Sequence, residues 1–528
     1  MAQSITYAYR TAAMSALREP KIELEVAWGL TADSVPATND EWAANATSET
    51  TRIRSINWTR QLDMKGALAQ GSAPVAAMTV ELDNYDNRYS PFNTASDLHS
   101  DLMATTTTAG GQTVQYPQLW QVPLRVRVGF GNLAERISVF TGLIDEPDET
   151  YGVGGSRVSF RCFDIGGALL KRKLSTTLTR NVNTVEWIRQ MLYAAGMGVH
   201  IGANMDNGIF YIPNAWLDDE DVYSEATKAA GSEGGYFYFN EGGKSVFRNA
   251  AWWAQKPAST TSQVNFTTAR FADVSPGYDW KSLATGALVE YQGRQLGGEM
   301  IVWEASEVII VPPKIGTVLG TKTVEARLEY PCETVQPMVP GTDWFPISAG
   351  GQSMSTVVES RMSYYAQRAT LQFLNDSYET AFILDAQLRG TALLGGPTEQ
   401  IDRRIAVPLV PTNVVQIKDN PYIQTDQQAS LIADLVADRM QYPRLTYKLN
   451  GVPAYPWLQL GDRVTITATD PITTAREAII TKLDYSWQPQ GRFAMNVEAV
   501  DAAGLFPYAS YFIVGTTALG STTSVLFR

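Results

Sequence analysis

The sequence predicts a mainly β, multidomain protein with a few helices, an α+β chain in overall class. Three observations carry that expectation. Short runs alternate apolar and polar residues, most cleanly at Val122–Phe130, where Val122, Leu124, Val126, Val128 and Phe130 face one way and Arg125 and Arg127 the other. Thr, Ser, Gly, Val, Tyr and Trp are plentiful while Lys and Glu are modest in number, a balance that fits pleated sheet. Only two stretches carry a strong helical period. The chain has 528 residues, enough for roughly three or four domains. At 45% hydrophobic residues it has ample material for packed cores, which excludes a disordered chain.

In chain order, strands are expected at Ile22–Trp28 and around Ile53–Trp58, separated by a polar loop. Met78–Pro91, MTVELDNYDNRYSP, begins as a strand in which Met78, Val80 and Leu82 alternate with Thr79 and Glu81. It leaves through the polar run Asp83, Asn84, Asp86 and Asn87. Thr94–Gln118, with its TTTTAGGQT run, reads as a mobile, exposed extension. Ile137–Ile144 and Arg157–Phe163 form a hairpin around Gly152, Gly154 and Gly155. Strands at this spacing read as a barrel or sandwich.

A helix follows at Thr184–Ala195, with Asn183 and Glu186 at its start, the stripe Ile188, Met191, Leu192 and Ala195, and Gly196 as its stop. Tyr236–Phe239 and Ser245–Arg248 form a hairpin around Asn240–Gly243. Residues 250–350, rich in Trp, Pro and Gly, give no regular assignment. Strands resume at Thr370–Leu374 and Ala381–Leu388. A second helix spans Gln427–Gln441, capped near Thr425 or Asp426, with Leu431, Ile432, Leu435 and Val436 inward, and Pro443 ends it. Leu460–Ala468, Ala478–Trp487 and Phe493–Val500 close the pattern.

Two distant hairpins echo one another. VFTGLIDEP, a Gly-rich turn and RVSFRCFD, followed by Gly167, correspond to AIITKLDYS, a turn through Gly491 and RFAMNVEAVD, followed by Gly504. In each, an Arg opens the second strand, Val158, Phe160 and Cys162 matching Phe493, Met495 and Val497, and an Asp closes it, Asp164 or Asp501. β hairpins at large share such grammar. If the echo is real, the chain carries two related barrels about 340 residues apart.

The "LDNxDxRYSPF" exit at Leu82–Phe92 resembles one found in tail-tip and baseplate hub proteins of tailed bacteriophages. The order of further short motifs is similar to that family. These are the Gly142–Asp164 hairpin, the "T-x-x-x-W-I-x-x-(M/L)-L-x-x-A-G" helix at Thr184–Gly196, Arg439 to Pro443, the "L-x-x-G-D-x-V" strand at Leu458–Val464 and the ending LGSTTSVLFR. The resemblance covers both ends of the chain and thins between 250 and 360. It implies two tube-like β-barrel domains with inserted mixed domains. The implied divisions are an N-terminal β-barrel hub domain at 1–175, a helix plus hairpin domain at 176–250, an irregular β insertion at 251–400, a second barrel with a leading helix at 401–505, and a tail at 506–528 contacting a neighbouring subunit. The family's hubs are homotrimers whose paired barrels form a pseudo-sixfold ring joining the hexameric tail tube to a threefold tip. The resemblance further implies contacts with a hexameric distal tail or tube protein, the tape-measure protein and tip fibre or spike proteins. DNA would meet the ring only in transit on ejection, and the host cell surface is a further contact. The location implied is the virion tail tip, assembled in the host cytoplasm.

The residues themselves name no catalytic, cofactor-binding or metal-binding position. Histidine is confined to His99 and His200, and no nucleophile, phosphate-loop or zinc pattern occurs. Asp145, Asp148 and Glu149 cluster on an expected polar turn, where carboxylates are usually solvated. Asp83-Asn84-Tyr85-Asp86-Asn87 has calcium-loop composition but lacks the Gly and the bidentate Glu of that loop. An Asx turn is the better reading. Cys162, on one face with Val158 and Phe160, and Cys332 form no disulfide framework, and Cys162 is expected to be buried. A net charge of −12 without any basic block argues against adhesive nucleic-acid binding. The N-terminus lacks an apolar signal core, and no apolar run reaches membrane-spanning length, so folding in the reducing cytosol is expected.

Two rival readings follow from the same residues. A receptor- or carbohydrate-binding tail protein would use some of the thirteen Trp, with Trp252, Trp253, Trp280, Trp303 and Trp344 in the unassigned middle. A tail-associated hydrolase would use a carboxylate pair.

Overall fold

The computed structural model describes residues 3–502 apart from 66–67, 70, 73, 109–110, 119–120, 153–154, 171, 204, 252–259, 280–282, 406–412, 441–443, 469–471, 473 and 490–491. Beyond 502 it describes 511–512 and 525–526. The chain is mainly β with a few helices, and its largest element is one 13-stranded sheet.

Twelve strands of that sheet form two sets of six. The first set is β1 (Pro20–Val26), β2 (Ile53–Gln61), β3 (Ala77–Asp83), β4 (Pro123–Phe130), β5 (Ile137–Thr150) and β6 (Arg157–Asp164). The second is β7 (Asn265–Thr267), β8 (Asp273–Asp279), β9 (Arg444–Pro453), β10 (Arg463–Thr467), β11 (Arg476–Gln488) and β12 (Arg492–Asp501). The first set lies in the order β1-β4-β5-β6-β3-β2 and the second in the order β7-β10-β11-β12-β9-β8. Each strand of the first set therefore has a counterpart six places later, with the same neighbours. One difference is that β1 runs antiparallel to β4 while the short β7 runs parallel to β10.

The echoed hairpins are β5–β6 and β11–β12, and they repeat to the residue. From the closing aspartates the pairs run Gly142–Asp164, Leu143–Phe163 and Ile144–Cys162, then a bulge at Asp145. In the other hairpin they run Ala478–Asp501, Ile479–Val500 and Ile480–Ala499, then a bulge at Thr481. Bulges re-aim a strand and persist as designed features. The sequence match needs one adjustment. Val158, Phe160 and Cys162 correspond to Met495, Val497 and Ala499, two residues beyond the positions that the opening arginines suggest, because β12 starts earlier than β6.

The two β units share one core. It runs from Tyr9 and Leu24 through Trp58, Val80 and Phe160 to Leu483, Met495 and Val497. β4 is buried along nearly its whole length. Its two arginines pair across the β1 ladder, Arg125 Nη2 lying 2.7 Å from Glu25 and Arg127 Nη2 3.0 Å from Glu23, the cross-strand charge pairing that a sheet rewards.

Between the two sets lie α1 (Thr184–Ala194) and α2 (Val222–Gly231) with the hairpin Tyr236–Phe239/Ser245–Arg248, around a second core. The Asn183 side chain caps α1 by accepting the Val185 N–H, Ile188, Met191 and Leu192 are fully buried, and Gly196 ends it at φ +74°. The β8–β9 connection carries the rest. The ribbon Gly286–Glu304 pairs with Gln387–Arg404, and beyond it two three-stranded sheets enclose a third core that contains Trp344. α3 (Asp426–Met440) then packs Leu431, Ile432, Leu435 and Val436 against the base of the ribbon. Thr425 accepts the Gln428 N–H at its start.

Residues 94–118 hold more structure than expected. His99–Leu102 is a helical turn, and Met103–Thr107 pairs with Thr113–Pro117 as an exposed hairpin, with Val114 and Tyr116 open to solvent. Gly154, Pro443, Gly491, Gly504 and most of LGSTTSVLFR lie outside the described residues.

Candidate functional site

In the structure, the candidate residues of the sequence take part in turns, ladders and buried contacts. In the run after β3, the Asp83 and Asp86 carboxylates accept the backbone N–H groups of Tyr85 and Arg88, and the Asn84 amide oxygen accepts that of Tyr89 at 3.1 Å. This is Asx-turn geometry. Arg52 grips Asp86 with both terminal nitrogens, at 2.8 and 2.6 Å, and Arg54 reaches Asp83 at 3.1 Å. Tyr89, fully buried, donates to Glu49 at 2.6 Å, and the indole of Trp28 donates to the same carboxylate at 3.0 Å.

Asp145, Asp148 and Glu149 lie on β5, not on a turn. Asp148 and Glu149 face opposite Ser159 and Val158, so strand alternation sends these two to opposite faces. Among the described residues, no group of three or more His, Cys, Asp or Glu is placed to hold a metal ion. His200 is buried with Nδ1 2.9 Å from the Gly243 carbonyl, and burial pushes its pKa down to about 4. His99 Nδ1 lies 3.0 Å from the Pro91 carbonyl. Cys162 and Cys332 are free, buried thiols.

Of the tryptophans singled out in the sequence, Trp344 is fully buried in the third core and Trp303 packs against it. Trp252, Trp253 and Trp280 lie outside the described residues. Trp216, which the sequence gave no reason to choose, lines a crevice of about 310 Å³. Its indole donates to Gln367 at 3.0 Å and the Arg294 guanidinium lies over its ring at 4.5 Å, so both its polar handle and a ring face are engaged.

What the fold builds at its centre is a junction. Six pairs, from Ile56–Trp487 to Gln61–Lys482, join β2 of the first set to β11 of the second. Trp58 stacks on Tyr485, centroids 4.7 Å apart and 12° from parallel. Arg60, buried beside them, donates to the Phe239 carbonyl at 2.7 Å and pairs with Glu241, which also accepts from Gln459 at 2.7 Å. One charged cluster thus ties β2, the middle hairpin and the segment before β10. Burial lowers the Arg60 pKa, and the nearby Tyr238 and Asp164 oppose that.

The N-terminal segment joins the two sets at other places, touching β4 and β5 of the first and the segment after β9 in the second. Gln3 donates its side chain to the Ser138 carbonyl at 2.7 Å and its backbone N–H to Trp457 at 3.0 Å. The Tyr9 hydroxyl donates to Val128 at 2.9 Å, and Arg18 Nη1 to Ala454 at 2.9 Å. The closing aspartates are structural as well. Asp164 accepts the N–H groups of Ala76 and Gly166, at 2.9 and 2.8 Å, while burial raises its pKa to about 6, and Asp501 accepts the Tyr447 hydroxyl at 3.0 Å.

No helix among the described residues is long and apolar enough to cross a membrane. No protein-family model matches the chain, and no curated protein matches it. Solved structures similar to it include a tail protein from Neisseria meningitidis MC58, 8% identical with a TM-score of 0.49, where the match covers 93% of this chain and 99% of that one. The 43 kDa tail protein of prophage MuSo2 from Shewanella oneidensis is 10% identical with a TM-score of 0.45, covering 92% and 99%. The prophage tail protein gp18 from Listeria monocytogenes EGD-e is 8% identical with a TM-score of 0.40, covering 90% and 94%.

Proposed function

We propose that this protein is a structural, non-enzymatic hub of a bacteriophage tail tip. Three copies form a ring that continues a hexameric tail tube, adapts it to a threefold tip and lets DNA pass. The observation that carries this reading is the repeat of one strand order within a single chain, β1-β4-β5-β6-β3-β2 and β7-β10-β11-β12-β9-β8. Two like units per chain and three chains give six units about an axis, the number needed to dock onto a sixfold ring. The motif order from Leu82–Phe92 to Leu458–Val464 supports the same reading. The partners that follow are a second and third copy, the hexameric tube protein, the tape-measure protein, and tip fibre or spike proteins. The location that follows is the virion tail tip. A net charge of −12 suits a passage that DNA slides through without sticking.

The decisive measurement is the number of copies per tip in a reconstruction of the particle. Three copies, with both β units at one radius, are expected. Six copies, or units at unrelated radii, would remove the pseudo-sixfold ring.

A further inference from the structure

The equivalence of the two strand sets marks an uncovered contact. In the first set, the outer edge of β2 is covered by residues 482–487 of β11. The counterpart of β2 is β8, and the counterpart of β11 is β5. β8 pairs with β9 along one side, from Asp273–Asn450 to Asp279–Arg444, and no described strand pairs its other side. β5 parts from the β4 side after Ile144, which bonds to Val122 and Gln121, and continues alone against β6 through Thr150. The far side of 146–150 is therefore also unpaired among the described residues. The chain thus bears both halves of a second junction like its own, on edges that face different ways along the sheet order.

The register follows from the ladders. Ala77 and Thr446 lie opposite Phe163 and Val500, which both precede the closing aspartates, and Thr59 and Gly277 lie opposite those two in turn. Ile56, Trp58 and Arg60 therefore correspond to Val274, Pro276 and Tyr278. Counting from the bulges at Thr481 and Asp145, Leu483, Tyr485 and Trp487 correspond to Pro147, Glu149 and Tyr151. The internal pairs Ile56–Trp487, Trp58–Tyr485 and Arg60–Leu483 become Val274–Tyr151, Pro276–Glu149 and Tyr278–Pro147 between copies. Both tyrosines stand in solvent in the single chain, Tyr278 at 67% and Tyr151 at 53% exposure, whereas Trp58 and Tyr485 at the internal junction are buried.

We propose that β8 of one copy docks on the 146–151 edge of a second copy in this register, as a seam in which side-chain packing replaces part of the backbone ladder. The prolines set its character. Leu62 donates its N–H to the Thr481 carbonyl at 2.8 Å, which makes Arg60–Leu483, Trp58–Tyr485 and Ile56–Trp487 the pairs that exchange backbone bonds. At the matching places between copies, Pro147 and Pro276 have no N–H to give. The seam therefore forms a ladder short of two bonds, and side chains make up the difference. It forms by packing Tyr278 on Pro147 and Tyr151 on Val274, and the same prolines keep free chains from pairing edge to edge at random.

This inference rests on the hub reading for the number of copies, though not for the edges that meet. The test is oxidative cross-linking of the full chain carrying Val274→Cys and Tyr151→Cys, with Tyr278→Cys and Pro147→Cys as a second pair. The comparison is the displaced pair Val274→Cys and Glu146→Cys. The expected result is a covalent, reductant-reversible ring of three, about tenfold or more above the displaced pair, because apposed thiols react at the effective concentration of a formed contact. A species of three copies by native mass, in which neither pair cross-links, overturns the seam and leaves the ring. Cross-linked species of another closed number keep the seam and overturn the threefold reading. Chains that stay monomeric and uncross-linked at the highest soluble concentration count against the seam.

Discussion

The two strand sets follow one path but are dressed differently. In the first, the β3–β4 connection carries the Asx turn and the exposed 103–117 hairpin, while β2 and β3 are joined by a short segment. In the second, β9 passes to β10 directly, and the ribbon, the third core and α3 are all inserted between β8 and β9. Insertions at connections leave the ladders intact, because the pairing is fixed by the strands and loops lengthen at little cost. The sharper difference lies at the edges. β2 meets β11 through buried Trp58, Tyr485 and Arg60, while β8 and the end of β5 present Pro276, Tyr278, Pro147 and Tyr151 at the same places. One unit's edge is built for permanent burial and its counterpart for exposure until a partner arrives.

Substitution at the internal junction should have the largest effect. Trp58→Ala removes the ring stacked on Tyr485 and leaves a cavity in the core shared by both sets. A loss of about 3–5 kcal/mol in unfolding free energy is expected by denaturant titration, the usual cost for a buried aromatic. A loss below about 1 kcal/mol would mean that the two sets are stable apart and the junction is incidental.

Next comes the region between the sets. Leu192→Ala, mid-stripe and fully buried on α1, is expected to cost about 2–5 kcal/mol. Its transition should be read by two probes, Trp fluorescence and far-UV dichroism. If they separate, the middle region unfolds on its own and is not locked to the sheet through Arg60 and Glu241.

A pH-dependent effect sharpens the same boundary. Glu233, just after α2, is fully buried and accepts the N–H groups of Ile209 and Phe210, at 2.8 and 3.3 Å. Burial raises its pKa from 4.5 to about 8, the backbone bonds opposing that and Asp206 adding to it. The folded state therefore keeps this proton where the unfolded chain has released it, and stability is lost as pH rises from 4.5 through about 8. Glu233→Gln keeps an acceptor for the backbone and cannot ionise. Relative to the parent, it should gain more than about 1 kcal/mol between about pH 5 and pH 9. An unchanged difference across that range would show that the carboxylate is solvated.

Much of this was legible in the sequence, and the failures have physical causes. The mainly β class, both helices with their caps, the Asx turn and the paired hairpins ending at Asp164 and Asp501 could be read from alternation and turn residues. The two-residue offset in the echo could not, because a period-two pattern is unchanged by a shift of two. Arg157 and Arg492 misled for that reason. The β5 end carrying Asp148 and Glu149 looked like a turn because one side of it is uncovered and its residues are polar. The ribbon 286–304 was unreadable because much of it stands in solvent on both faces, so no apolar stripe marks it. The β2–β11 contact joins residues more than four hundred apart in the chain, and nothing local announces it.

The smallest effect is the most informative about the edges. Tyr278 occupies on β8 the place that Arg60 occupies on β2. At Arg60 the side chain is enclosed, and truncation would strand the Glu241 carboxylate without its partner. At Tyr278 the ring stands 67% exposed at an uncovered edge. Tyr278→Ala should therefore leave the stability of the single chain within about 0.5 kcal/mol of the parent, as surface substitutions do. Its effect should fall on association, lowering the fraction of assembled ring at a given concentration, because only there does the ring become buried. A large loss of single-chain stability would mean that Tyr278 already packs within its own copy. The counterpart edges would then be alike after all, both closed inside one chain.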